Sequence, residues 1–306
     1  MKHTLMYLPR KDEQVPIHLH IWQPDTPARA VVHIAHGMAE HILRYEYAAR
    51  ALCEKGFLVC GSNHRGHGYE WPEMRLGHFA DRDGWDKVLL DLHTVMTYVK
   101  NEHPGLPYVL LGHSMGSFLA REFALRYGKE LSALVLSGTG FYPGALCAAG
   151  TLMASLFPKS KPAPLLDKMV FSSNNAPFSP ARTPFDWLSR DEKQVDRYIA
   201  DSRCGFVFTG ASYKAFFQGL LALSRESRLQ LMQKGVPVYL LSGQKDPVGQ
   251  MGKGVEKVAQ QLRRAGISRA DVKLYPDCRH ELFNELNCNE VLDDLCAWLD
   301  GALHLK

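Results

Sequence analysis

The sequence predicts an α/β fold: a twisted, mostly parallel sheet with helices on both faces and a mainly helical lid inserted between two of its strands. Three observations carry this. Short aliphatic runs alternate with longer amphipathic stretches, the signature of buried strands and covering helices. That rhythm is lost between residues 138 and 235 and returns afterwards. A Gly-x-Ser-x-Gly run, Gly112 to Gly116, lies where one strand pattern gives way to a helical one.

In chain order, Val15 to Trp22 (VPIHLHIW) alternates polar and apolar side chains and reads as a half-exposed antiparallel edge strand. Ala30 to Ala35 and Phe57 to Cys60 read as interior strands joined by a helix over Tyr45 to Lys55. Asp83 to Lys100 carries Trp85, Val88, Leu92, Val95 and Val99 on one helical face. Pro107 to Leu111 is the next strand, Met115 to Tyr127 the helix leaving it, and Ser132 to Leu136 the strand after that. Prolines and aromatics then crowd the segment 138–235, where LLALSRESRLQLM reads as helical. Strands at Pro237 to Leu241 and Val272 to Tyr275 and helices at Val255 to Ala265 and Cys288 to Leu299 complete the pattern. Residues 1–137 and 236–306 thus form one sheet core, with 138–235 as a lid or cap. Its aromatics are divided between packing and an apolar cleft in a way the sequence does not resolve.

Composition narrows the function. A chain of 306 residues with 46% hydrophobic and 22% charged residues can bury a full core. A net charge of +4 without a basic tract argues against nucleic acid as a partner. The seven cysteines are odd in number and lack a Cys-x-x-Cys pair, which suits free thiols in a reducing compartment; Cys53 and Cys60 are the one pair to check for a bridge. No secretory leader or spanning run of apolar residues is visible. The expected location is cytoplasmic, with peripheral membrane contact left open.

Gly112-His113-Ser114-Met115-Gly116 follows a strand and precedes a helix, the context in which this motif presents a nucleophilic serine. A serine hydroxyl needs an imidazole to take its proton, and the imidazole needs an acid behind it. In sheets of this design the chain order is Ser, acid, His. Only His280 and His304 lie downstream of Ser114. His304 falls at the fraying terminus, so His280, in the loop PDCRHE after a strand, is the candidate base. Asp246, in GQKDPVG at the end of another strand, is the candidate acid. Asp277 and Glu281 are too close to His280 in sequence, and Asp293 and Asp294 belong to the last helix.

An ester carbonyl under attack also needs preorganised N–H donors. The backbone of Met115 is one candidate and that of Met38, in HIAHGMAEH, the other, with Gly37 letting the chain turn in close. His36 and His64 are read as braces for this loop. Metal ligation by the histidines at 33, 36, 41, 64 and 67 is not favoured, because they bracket strand-end turns without metal-ligand spacing. No metal or organic cofactor is expected.

HGMAEHILRY at 36–45, NHRGHG at 63–68 and GHSMG at 112–116 resemble the monoglyceride lipase and bacterial lysophospholipase group of the α/β-hydrolases, also grouped with serine aminopeptidases. The resemblance spans about residues 10–300. It implies Ser114 as nucleophile, Asp246 as acid, His280 as base and Met38 and Met115 as oxyanion donors. It also implies that FDWLSRD at 185–191 belongs to a lid over an acyl-chain cleft, and that Glu40, with His41, Arg44 and Tyr45, fixes the oxyanion loop. Two positions depart from the pattern: Met38 is often a smaller residue, and Ser117 often a glycine.

The expected function is therefore a carboxylic ester hydrolase working through an acyl-enzyme. Its expected partner is a small-molecule ester with an apolar acyl chain, of the monoacylglycerol or lysophospholipid kind. The alternatives are an aminopeptidase of the same fold, which needs an anionic pocket for the substrate amine, and a non-catalytic ligand-binding protein on a hydrolase scaffold.

Overall fold

The structure is a computed structural model describing residues 1–10, 13–68 and 75–305. It opens with a hairpin of β1 (Lys2–Arg10) and β2 (Glu13–Gln23), followed by β3 (Ala30–Ala35), α1 (Glu46–Glu54), β4 (Phe57–Ser62), α2 (Gly84–Glu102), β5 (Tyr108–His113), α3 (Met115–Tyr127) and β6 (Ala133–Ser137). Four helices come next, α4 (Gly144–Ala154), α5 (Pro164–Phe171), α6 (Glu192–Ala200) and α7 (Gly210–Leu223). The chain then returns to the sheet with β7 (Val238–Gly243), α8 (Lys253–Arg264), β8 (Ala270–Tyr275) and α9 (Cys288–Leu303).

The eight strands lie in the order β1-β2-β4-β3-β5-β6-β7-β8. The pairs β1/β2 and β2/β4 are antiparallel, and β3 to β8 run parallel. Every residue of β3, β4, β5, β6 and β7 is buried, as aliphatic strands covered on both faces require. One face is covered by α1 and α9, which bring Leu52, Leu295 and Leu299 against Val32, Val109 and Val135. On the other face α2, α3 and α8 contribute Val88, Phe118 and Val255.

Three sequence expectations are corrected. The strand VPIHLHIW is neither an edge nor half-exposed: β1 pairs along its outer side, and His18 and His20 are buried together with Ile17 and Leu19. Rings of β1 cover the polar face, His3 stacking on Trp22 at 4.7 Å and Tyr7 meeting His18 edge-on at 5.0 Å. The run LLALSRESRLQLM is not one helix, since α7 ends at Leu223 and a separate short 3-10 segment, Glu226–Leu231, follows. Cys53 and Cys60 are not bridged, and all seven cysteines are free. Cys53 faces the carbonyl of Trp22 and Cys60 the hydroxyl of Tyr108.

The insertion after β6 is helical, as expected, but most of it shares the main core. Phe208, Tyr213, Phe216 and Leu220 belong to the same apolar cluster as α2 and α3. Only Trp187, Leu188 and Tyr198, with Phe171, Phe178 and Phe185 against them, form a cluster of their own.

Candidate active site

Parallel strands place their carboxyl ends on one rim, and the loops leaving that rim carry the candidate residues. Ser114 sits between β5 and α3 with φ 51° and ψ −120°, a left-handed backbone that a serine adopts only when its surroundings enforce it. Here the enforcement is steric. A Cβ on Gly116 would stand 2.0 Å from the carbonyl oxygen of Ala35, and one on Gly112 would stand 2.3 Å from that of Gly116. The amide of Ser114 donates to Ser137 O at 2.9 Å, tying the turn to β6. Ser117 is fully buried, and its hydroxyl donates to Ser114 O at 2.6 Å, so it serves the turn rather than the cleft.

Asp246 follows β7, and His280 lies in the loop after β8. Their contact is Nδ1 of His280 to Oδ1 of Asp246 at 3.0 Å, with both side chains almost wholly buried. Oδ1 of Asp246 also accepts Val248 N–H at 2.9 Å, while Oδ2 accepts the Ser242 hydroxyl at 3.3 Å. Burial alone lowers the His280 pKa, but the charge and hydrogen bond of Asp246, with Glu281 and Glu40 beyond, outweigh it and leave the pKa raised. The imidazole is flanked by the rings of His113 at 4.7 Å and Trp187 at 5.0 Å, the latter from the insertion.

The loop after β3 is held from every side. Glu40 turns back so that Oε1 accepts Gly37 N–H at 2.5 Å and the Tyr45 hydroxyl at 2.8 Å. A Cβ on Gly37 would lie 2.6 Å from that same Oε1, so only glycine admits the contact. His36 uses both ring nitrogens, Nδ1 toward Gly37 O at 2.8 Å and Nε2 accepting His64 N–H at 3.0 Å, while His64 Nε2 reaches back to His36 O at 3.0 Å. Burial lowers the pKa of His64 to about 4 and that of His67 to about 3, so both are neutral braces. Met115 is the first residue of α3, and its N–H therefore has no intrahelical acceptor. Met38 lines the cleft beside Ser114.

Sequence reasoning missed several partners because they are remote in the chain. Arg44 donates to Glu40 at 2.7 Å and, through both terminal nitrogens, to Glu281 at 2.6 Å, 237 residues away. This largely covered cation joins the loop after β3 to the residue next to His280. It also stacks over Tyr198 of α6 at 4.8 Å, and the Tyr198 hydroxyl donates to Ala39 O at 3.0 Å. His67, weighed in the sequence only as a metal ligand, accepts Ala39 N–H at 3.3 Å. His41 lies with Asp201 and Cys204, their donor atoms within 4.8 Å of one another, a cluster with metal-binding residue types. Asp201, however, already accepts His41 at 2.8 Å and three N–H groups of Arg203, so the cluster reads as a latch from the insertion to the loop.

The Glu281 charge should be visible in the pH profile. Because it helps raise the His280 pKa, Glu281→Gln is expected to lower that pKa. With His280 as the expected base, which works deprotonated, the acid limb of kcat/KM would then move to lower pH. An acid limb unchanged or moved upward in a folded E281Q would contradict this arrangement.

Ser114 opens on two cavities. The first, about 260 Å³, is lined almost wholly by apolar side chains of α3, α4, α5 and α7, among them Phe118, Met153, Leu166, Phe216 and Phe217. The second, about 370 Å³, lies on the His280 side and mixes Trp187, Leu188 and Phe206 with Glu40, Glu281, Lys168 and Asn175. The structure thus divides the insertion's aromatics. Phe216 and Phe217 face the first cavity, Phe171 both, Phe185, Trp187, Tyr198 and Phe206 the second, and Phe208 and Tyr213 are buried packing.

A mostly parallel eight-stranded sheet in this order, with helices on both faces and a helical insertion between β6 and β7, is an α/β-hydrolase fold. The chain matches the family model described as "Serine aminopeptidase, S33" over residues 26–287, and it belongs to that family. It is 32% identical to a monoacylglycerol lipase of Mycolicibacterium smegmatis over 92% of either chain. It is 28% identical to the human monoglyceride lipase, over 91% of this chain and 84% of the human one. Among solved structures it is similar to a highly thermostable carboxyl esterase from Bacillus coagulans in complex with glycerol, with a TM-score of 0.91, 26% identity and 99% of each chain covered. Family and fold match those of known serine hydrolases.

Proposed function

We propose that the chain hydrolyses carboxylic esters of single apolar acyl chains with a small uncharged alcohol, monoacylglycerols being the best-fitting substrates. The observation that carries this reading is the position of Ser114 between an apolar cavity suited to an acyl chain and a more polar one suited to the alcohol. In the proposed cycle His280, oriented by Asp246, takes the Ser114 proton as Oγ attacks the carbonyl. The backbone N–H groups of Met38 and Met115 receive the oxyanion. Collapse expels the alcohol, which takes the proton from His280; water, deprotonated by the same imidazole, then releases the fatty acid and restores the serine. His36, Gly37, Glu40 and His64 hold the oxyanion loop.

The charge in the second cavity separates the lipid candidates. Glu40, Glu281 and Asp167 line it with Lys168, and Arg44 is shared between the two glutamates, so carboxylates outnumber cations there, which favours glycerol over a phosphodiester headgroup. The aminopeptidase reading is weaker, since those carboxylates are engaged by Arg44 and Asp167 by the Tyr213 hydroxyl. A screen over monoacylglycerols, lysophospholipids, short esters and aminoacyl amides, with Ser114→Ala as control, tests the proposal. Monoacylglycerol turnover should dominate, and preferential cleavage of aminoacyl amides would overturn it.

Peripheral contact with a lipid surface is part of the same proposal. No helix among the described residues is long and apolar enough to cross a membrane. Yet Leu152 of α4 and Leu156 just after it are 70% and 79% exposed, and Leu165 and Met169 of α5 are exposed as well. Lys159 and Lys161 lie between these pairs in the chain, and no Asp or Glu occurs from Leu131 to Leu166. The pattern fits an apolar patch entering an anionic interface. Replacing Leu152 and Leu156 together by Glu is expected to weaken partition into anionic vesicles by roughly 10-fold or more, with turnover of a soluble short ester within about twofold of the parent. Unchanged vesicle binding would contradict this.

A further inference from the structure

Arg121, in the middle of α3, is a cation without a counter-charge among the described residues. The residue is only 4% exposed. Its Nη1 donates to Gly140 O at 3.1 Å, and its Nε–H is buried without a partner among the described residues. Burial is the sole cause of its lowered pKa, to about 10, with no carboxylate among the described residues contributing. The adjacent Glu122 points elsewhere and is held by Arg126 and Arg228. Phe141, which lines the same small cavity, carries the Lys257 ammonium 3.8 Å from its ring centre. A guanidinium keeps its proton in proteins, and buried charges are found paired or ligated.

Beside it is a small cavity, in which the centre of a water-sized guest has about 10 Å³ open to it, lined by Arg121, Gly140, Tyr142, Leu220 and Ser224 among others. That is room for a single small guest. A water could satisfy the Nε–H group but would leave the charge unbalanced; a small anion does both. We propose that Arg121 and this cavity form a binding site for a halide-sized monovalent anion, chloride being the ordinary member of the class.

The site stands at the root of the insertion. Gly140, Phe141 and Tyr142 link β6 to α4, Tyr142 also lines the apolar cavity beside Ser114, and its ring meets Phe118 edge-on at 5.9 Å. Neutralising Arg121 would fix that linker against α3 and α7, and through Tyr142 the wall of the cavity. The anion takes no part in the proposed ester chemistry, so the site stands or falls independently of it.

The test is thermal unfolding at constant ionic strength, with sodium chloride or bromide exchanged stepwise for sodium gluconate. A saturable rise is expected, of roughly 5 °C at a hundredfold excess over the dissociation constant. It should vanish in Arg121→Met. Crystals of the parent protein soaked in bromide should give an anomalous peak within hydrogen-bond distance of Arg121. These two measurements on the parent decide the matter even if R121M fails to fold. Melting indifferent to halide overturns the proposal, as does a bromide peak at Arg121 at crystal concentration only, without a saturable response in solution.

Discussion

Ser114→Ala is expected to lower kcat for ester hydrolysis by roughly 10⁵-fold or more while leaving the fold and the melting temperature close to those of the parent. The size follows from the division of labour at the site. In the proposed cycle Oγ of Ser114 forms the only covalent bond to the acyl group, and the neighbouring hydroxyl cannot take its place: Ser117 is fully buried and directed at the carbonyl of Ser114. The exchange removes one oxygen from a side chain facing the cavities, so packing changes little. Residual turnover would come from the oxyanion donors and substrate binding alone. Activity within tenfold of the parent in a purified, folded S114A would be incompatible with the proposed mechanism.

The second large effect belongs to Asp246→Asn. Oδ1 of Asp246 accepts both His280 Nδ1–H and Val248 N–H, and its other oxygen faces the Ser242 hydroxyl. An asparagine can keep its oxygen toward His280 and turn its amide group to Ser242, which preserves the ring's orientation and removes the charge. The imidazolium formed during attack then has no anion behind it, and kcat is expected to fall by roughly 10³- to 10⁴-fold. The pH dependence distinguishes this from a structural lesion. Asp246 is the chief group holding the His280 pKa up, so its neutralisation lets burial draw that pKa down, and the acid limb of the profile moves to lower pH. A limb that stays in place, or a loss of less than tenfold, would assign the acid role elsewhere.

Much of this was legible in the sequence, for identifiable reasons. Parallel strands buried on both faces must be continuous aliphatic runs, so AVVHIA and FLVC declared themselves. The serine turn was legible because its steric demands are met by residue types, glycine at 112 and 116, at fixed offsets. His280 emerged because the chain order left only two candidates. What the sequence hid was set by contacts at long range. β1 was missed because KHTLMYLPR, on the outer rim, buries only Leu8, and its alternating burial is not matched by its residue types, with Leu5 and Tyr7 on the exposed side and Thr4 on the other. The same strand turned the apparent edge VPIHLHIW into an interior one by laying His3 and Tyr7 over its polar face. The Arg44–Glu281 pair has no local signal, since its members lie 237 residues apart and Glu281 alone looks like an ordinary surface charge. Arg121 reads as one polar position on an amphipathic helix, and only the fold reveals that α7 and the Gly140 turn close over it.

The central claim is that Ser114 is the activated nucleophile, and covalent labelling tests it most directly. The folded protein would be treated with a fluorophosphonate, its intact mass measured, and the modified peptide sequenced. One adduct per chain, on Ser114, abolished in S114A and strongly slowed in Asp246→Asn, is the result this account predicts. A folded protein that takes up no label, or takes it up on another residue, would contradict it.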